Sequence, residues 1–308
     1  MNRKLEGILS FFARHNQHFS SKVGYSRTKS SYVRYRTVYN HLAAFIKSRY
    51  HREDLSLRCI NGSFVEGFDT WLRSERHLSA NTVWGYMISL KHIVMLARNE
   101  GRMSYDPFAT YINSYTYVDR GYLSEEELTR LMEMKNCSDM DARVRDLFLF
   151  SAFTGMAYVD IKQLRKEHVK KMFDGHWWII KRRQKTGVES NVRLLDVPLQ
   201  IIWKYWETGE DGRLFSIPSN SCCNVHLKRI AQLCRIRGKL TFHNGRHTFA
   251  TMALNRGMPI ESLSRILGHT NIRTTQIYAK ITDKKISEDM AILADSLSQV
   301  EQSICQRL

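Results

Sequence analysis

Apolar residues recur at helical spacing along most of the chain. Between Ser30 and Tyr50, Val33, Val38, Leu42, Phe45 and Ile46 fall near a 3.6-residue period with Arg34, Arg36, Lys47 and Arg49 between them, which predicts an amphipathic helix with a basic outer face. Residues 55–62 read as a turn or short loop. Ser63 is placed to cap a second helix whose apolar face is Phe64, Val65, Phe68, Trp71 and Leu72. A third opens at Ser79-Ala80-Asn81-Thr82, buries Val83, Tyr86, Leu90, Ile93, Val94 and Ala97, and ends near Asn99, before Glu100 and Gly101. The stretch NSYTYVDRG, residues 113–121, lacks an apolar repeat and reads as a linker. The chain therefore divides into an all-helical domain over 1–112, a linker over 113–122 and a second domain over 123–308.

The second domain starts with a capping box, Ser124 to Glu127. An apolar helix follows from Arg143, stopped by Gly155, and Val159–Leu164 adds a helical turn. The segment HWWIIKRRQKTGVESNVRLLDVP predicts a hairpin: a strand over Trp177–Lys181, a Lys-Thr-Gly turn, and a strand over Val192–Val197 ending at Pro198. Helices are expected around Gln200–Trp206, Asn224–Arg237 and Phe242–Asn255. Next comes a helix with Pro259 near its first turn, Ile260, Leu263, Ile266 and Leu267 as its stripe and Gly268 as its stop. Asn271–Thr275 opens a short helix, and Ile286, Met290, Leu293 and Leu297 define an amphipathic helix over 284–300. The fold class is mainly α with a small antiparallel hairpin.

Composition bounds the partners. Lys plus Arg number 47 against 30 Asp plus Glu, a net charge of +17 and a pI near 9.7, so a polyanion is the expected ligand. The excess is spread out: residues 1–115 hold 17 basic and 8 acidic side chains. Arg229, Arg235, Arg237 and Lys239 form a basic cluster that reads either as a phosphate-facing strip or as a solvated face. The six cysteines show no C-x-x-C and no zinc spacing, and no segment approaches the roughly 18 uninterrupted apolar residues of a membrane span, which together predict a cytoplasmic protein with no membrane partner.

The chemistry concentrates between Thr241 and Tyr278. This run holds His243, Arg246, His247, His269, Arg273 and Tyr278 but only one acid, Glu261. Many donors and few carboxylates suit an anionic phosphodiester and cannot hold a pair of divalent metals, so the expectation is metal-free phosphoryl chemistry without a cofactor. His243 and Arg246, at i and i+3, share a helix face, with Phe249, Met252 and Ala253 continuing on the inner side. His243 and His247 have the spacing of a zinc-binding H-E-x-x-H pair, but Asn244 stands where the general-base Glu would be. His247 by itself reads as a buried, hydrogen-bonded histidine.

The ordered set H-x-x-R-H-T, L-G-H and a Tyr nine residues beyond that His resembles the signature of the tyrosine recombinases, the phage integrase family. The resemblance implies a helical core-binding (SAM-like) domain followed by a mixed α+β catalytic domain. It makes Tyr278 the nucleophile and His243, Arg246 and His269 site residues, and it assigns the family's β-hairpin lysine to Lys185. Gly245 stands where the family more often has Leu. The pattern T-G-x-R-x-x-E maps onto Thr154 to Asp160, keeping the acid as Asp160 but replacing the first catalytic Arg by Ala157; Bacteroides-type integrases are similar in lacking that Arg. Lys162 and Arg165 are candidates to fill the gap. Implied partners are double-stranded DNA, a homotetramer linked by exchanged C-terminal helices, and accessory DNA-bending proteins. The competing readings are a DNA-binding relative that no longer cuts and a type IB topoisomerase.

Overall fold

The computed structural model describes residues 6–116, 118, 121–135, 137–185, 187–209, 211–279 and 283–305. It falls into two compact units, residues 1–118 and 119–308. Residues 117, 119 and 120 of the expected linker and Thr186 of the expected turn lie outside the described residues.

The first unit is helical: α1 (Ile8–Ser20), α2 (Lys29–Tyr50), α3 (Gly62–Ser74) and α4 (Ala80–Asn99). α1 precedes the first helix that periodicity predicts, and its apolar residues Ile8, Leu9, Phe11, Phe12 and Phe19 enter the core. Its first turn is held from a distance, Asp54 accepting from the amides of Leu9 at 2.9 Å and Ser10 at 3.0 Å. The N-cap of α3 is Asn61, whose side chain accepts from the Phe64 amide at 2.9 Å, and not Ser63, which lies within the first turn. Val38, Leu42, Ile46, Val65, Phe68, Leu72, Leu90 and Ile93 are fully buried between the helices. Residues beyond α4 return along it: Asn113 donates to the Trp84 carbonyl at 3.1 Å, Tyr115 packs edge-on against Trp84, and Thr116 exchanges two hydrogen bonds with the Asn81 side chain.

The second unit opens on α5 (Glu125–Met132), with the Ser124–Glu127 capping box formed, then α6 (Asp139–Thr154) and α7 (Tyr158–Lys162). An antiparallel sheet follows in the order β1 (Val169–Lys171), β2 (Trp177–Arg182), β3 (Glu189–Arg193). The hairpin is there, but its second strand lies earlier than Val192–Val197. The turn delivers the chain straight into pairing, Arg182 opposite Glu189, and α8 (Asp196–Tyr205) has begun where the strand was expected to end. Ile179 pairs with both Val169 and Val192, which fixes the register by burying three β-branched residues on one face. The remaining helices are α9 (Asn220–Leu233), α10 (Phe242–Asn255), α11 (Ile260–Leu267), α12 (Arg273–Gln276) and α13 (Asp283–Cys305).

The centre of this unit is α6 packed on α10. Gly245 permits the approach: a Cβ there would stand 3.0 Å from Ser151 Cβ and 3.1 Å from the Phe148 carbonyl. Phe148, Phe150, Ile202, Leu214, Leu227 and Ile230 fill the surrounding core. A smaller apolar cluster of Phe249, Ala250, Ala253, Leu263, Leu267 and Tyr278 lies under the end of α11. No helix among the described residues is long and apolar enough to cross a membrane.

Candidate active site

Two helix C-termini meet at the site. α6 ends at Gly155 with φ +70°, and α11 ends at Gly268 with φ +61°, where the His269 amide turns back to the Ser264 carbonyl at 3.0 Å. Such ends leave carbonyls without helical partners and carry the negative pole of the helix dipole. Arg246, on the first turns of α10 and 4% exposed, supplies the cation. Its Nη1 donates to the Gly155 carbonyl at 2.7 Å, and its Nη2 donates to the Leu267 carbonyl and to His269 Nε2, both at 2.8 Å. Three of its five N–H groups are thereby used. Burial pushes its pKa down to about 10, the Arg183 charge acts in the same direction, and the Tyr278 hydroxyl and Asp160 oppose them, so it stays charged at neutral pH.

That contact fixes the tautomer of His269. A guanidinium only donates, so Nε2 accepts and Nδ1 carries the hydrogen, which goes to Thr275 Oγ1 at 2.8 Å. Burial, then the charges of Arg246, Arg183 and Lys185, hold this imidazole down to about 4. It is neutral at pH 7. Thr275 is fully buried, and its carbonyl accepts from the Tyr278 amide at 3.0 Å, so one residue orients both His269 and Tyr278.

Tyr278 is 7% exposed. Its ring lies nearly parallel to that of His269, centroids 6.4 Å apart, and meets His247 edge-on at 4.9 Å; His247 in turn meets His243 at 4.6 Å. His247, expected to be a buried, hydrogen-bonded histidine, is half-buried and touches the phenol ring, while His243 lies exposed at the start of α10. Lys185 is exposed in the β2–β3 turn, near enough for its charge to act on His269.

The cation that joins Arg246 is Arg183. Lys162 and Arg165 turn elsewhere: the Arg165 guanidinium donates to the Asp211 carbonyl at 3.0 Å, and Lys162 lines a small pocket with Asp211, Arg213 and Phe215. Arg183, the residue after β2, donates through Nε to Asp160 Oδ2 at 3.0 Å and through Nη1 to the Leu267 carbonyl at 2.7 Å. One carbonyl thus holds two guanidinium groups, whose nitrogens lie within 5.5 Å of each other, the sum of the two bond lengths. Asp160, 3% exposed, also accepts from the Gln184 amide at 3.0 Å and so ties the hairpin turn to α7. Arg183 and Lys185 both belong to the turn that follows β2, Arg183 closing it through hydrogen bonds with Val188 and Gly187. Ala157, the N-cap of α7, contributes only a methyl group two residues beyond the Gly155 carbonyl that Arg246 holds.

Two cations, an imidazole and a phenol gathered at the ends of α6 and α11, with Asp160 paired to Arg183, can take a phosphodiester and stabilise extra charge on it. Among the described residues no group of three or more His, Cys, Asp or Glu is placed to hold a metal ion.

Comparisons with known proteins agree in both units. Residues 121–285 match the phage integrase family, and residues 8–115 match the phage integrase SAM-like domain. Tyrosine recombinase XerA of Pyrococcus horikoshii is 28% identical over 174 residues, covering 54% of this chain and 59% of its own length. Tyrosine recombinase XerC of Roseiflexus sp. is 26% identical over 270 residues, 80% of this chain and 82% of the relative. Among solved structures, the Tn1549 transposon integrase in complex with a circular intermediate DNA superposes with a TM-score of 0.71 at 16% identity, covering 92% of this chain and 99% of that one, a likeness of fold.

Proposed function

We propose, from the premise that this chain belongs to the phage integrase family, that it recombines double-stranded DNA site-specifically through a covalent link to Tyr278. The observation that carries this reading is the pair of guanidinium groups on the Leu267 carbonyl, set beside His269 and Tyr278. The Tyr278 oxygen attacks the phosphorus, an O–P bond forms to the 3′ side, and the P–O5′ bond breaks. Arg246 stabilises the charge on the non-bridging oxygens as the transition state forms. Lys185 donates the proton that the departing 5′ oxygen takes up.

A phenol with an ordinary pKa near 10 must pass its proton on as it attacks. In this geometry both ring nitrogens of His269 are engaged, by Arg246 and Thr275, so His269 acts by positioning and His243 is left as the candidate proton acceptor. The phosphotyrosyl bond keeps the energy of the phosphodiester, so a second 5′-hydroxyl can reverse the step onto a new strand without ATP. The functional division we adopt is a core-binding domain over 1–112, a linker over 113–122 and a catalytic domain over 123–308.

Assembly fits α13. Its apolar stripe, Ile286, Met290, Leu293 and Leu297, is exposed, and the segment 283–305 holds five acidic and two basic residues in an otherwise basic chain. A groove of about 590 Å³ between the outer face of the sheet and α11 is lined by Phe173, Trp178, Ile180 and Ile266, with Arg193 and Arg265 among its walls. An acidic amphipathic helix of a second copy is complementary to it, which supports a tetramer joined by exchanged helices.

The test is covalent trapping. Duplexes selected from a randomised pool for binding to the native chain are nicked to release the short 5′ fragment, so that cleavage cannot reverse. The native chain is expected to give a denaturation-resistant adduct that Tyr278→Phe does not form. No adduct from the native chain would favour a DNA-binding relative, and relaxation of plasmid lacking a selected site would favour a topoisomerase.

A further inference from the structure

We infer that Arg183 is a catalytic residue that takes over, from the β2–β3 hairpin, the phosphate-facing role of the arginine missing at Ala157; the inference rests on the recombinase reading above. A methyl group at 157 can neither donate a hydrogen bond nor carry charge, so a second cation must come from another element. Two described cations near that turn are committed elsewhere: Lys181 Nζ donates to the Gln163 carbonyl at 2.8 Å, and Arg165 donates to the Asp211 carbonyl at 3.0 Å. Arg183 alone among these shares an acceptor with Arg246.

The arrangement is poorly explained as structure alone. An Arg183–Asp160 ion pair, with side chains 10% and 4% exposed, would satisfy the hairpin by itself. Drawing a second guanidinium onto the same carbonyl adds repulsion between like charges, a cost that disappears once an anion enters between them. Only two of the five N–H groups of Arg183 go to Asp160 and Leu267, and a planar fork suits two oxygens of one phosphate.

The path of the side chain is built for this. Gly268 leaves open the space that the Arg183 stem crosses: a Cβ there would overlap Cδ and stand 2.9 Å from Cγ. Asp160 holds Nε and so sets the rotation of the fork, which makes Asp160 a positioning residue. The hairpin turn also carries Lys185, so one element delivers both the cation that neutralises the phosphate and the proposed acid.

The test compares two substrates. One is the selected suicide duplex; the other carries a methylphosphonate at the cleaved position, which has no negative non-bridging oxygen to neutralise. Single-turnover adduct formation is followed for the native chain, Arg183→Ala and Arg183→Lys, with thermal melting to confirm folding. Loss of one such donor lowers rates by about 10²–10³. Arg183→Ala is expected to slow the phosphodiester reaction by that factor but the methylphosphonate reaction less than about ten-fold. Arg183→Lys should fall between native and Ala on the phosphodiester, and it carries the same comparison if Arg183→Ala fails to fold. Equal slowing on both substrates would make Arg183 structural and overturn the inference, as would a phosphodiester rate within about three-fold of native. A native chain that forms no adduct would remove the recombinase reading itself, whereas an adduct that Arg183→Ala forms as fast removes this inference alone.

Discussion

Gly268→Ala perturbs the site without altering any charged group, and the structure gives both the size of the effect and its control. Position 268 has φ +61°, where an L side chain costs about 1–2 kcal/mol. The new Cβ would also displace the Arg183 stem, which must retreat by about 1 Å to reach ordinary contact. The bonds from Arg183 to the Leu267 carbonyl and to Asp160, 2.7 and 3.0 Å, do not survive that retreat, and charge-assisted bonds of this kind contribute about 1.5–3 kcal/mol each. Gly257→Ala isolates the backbone contribution, since Gly257 has φ +83° and nothing within 4 Å of its would-be Cβ. Gly257→Ala should therefore lose about 1–2 kcal/mol and Gly268→Ala about 4–8, at about 2–4 °C of melting temperature per kcal/mol for a domain of this size. Calorimetry gives the melting temperatures, and the trapping assay should show slowing in Gly268→Ala only. Equal losses of stability and rate in the two variants would refute the claim that Arg183 threads past residue 268 to reach the site.

Two further outcomes follow from the same geometry. The pKa of His269 is held near 4, below the value of about 6.5 expected when unfolded. The unfolded chain then binds the extra proton first, so His269 contributes stability that is complete above pH 6.5 and declines towards pH 4; urea melts of His269→Gln should show a shallower decline than the native chain over that window, and an unchanged slope would count against the assignment. Removing 283–305 should leave adduct formation by single protomers intact while lowering the size of the assembly on DNA in sedimentation; an unchanged assembly would exclude α13 as the link.

Elements announced by strong local chemistry were legible from residues alone. The bounds of α10 follow from its capping residues, and the ends of α6 and α11 follow from glycines at positive φ. Where the determinant is tertiary, the sequence misleads. The strand β3 is polar along Glu189-Ser190-Asn191, yet Ser190 is buried because its hydroxyl donates to the Ile266 carbonyl at 2.5 Å, a partner 76 residues away. The start of α1 is satisfied by Asp54, which no local motif announces. Arg183 hides in the run KRRQK, which looks like a solvated hairpin edge until the buried carboxylate of Asp160 is seen to hold it. The histidines, Arg246 and Tyr278 were readable because their spacing places them around one helix pair, whereas the cation beside them arrives from a hairpin turn about sixty residues earlier.

Both ends of the segment between the two units are anchored, at Thr116 by Asn81 and at Gly121, whose carbonyl accepts from Asn244 Nδ2 at 3.2 Å; Leu123 follows, its amide donating to Thr248 Oγ1 at 3.0 Å. Asn244 and Thr248 lie on the same helix as Arg246. Five peptide steps therefore join the two anchors, a leash of at most about 18 Å whatever its course. A tether so short gives the second unit a millimolar local concentration beside whatever the first has gripped. If both units grip DNA as proposed, it also acts as a ruler: base pairs inserted between the two contacted sequences would soon exceed its reach, and any pull on it is felt first by the helix that bears Arg246.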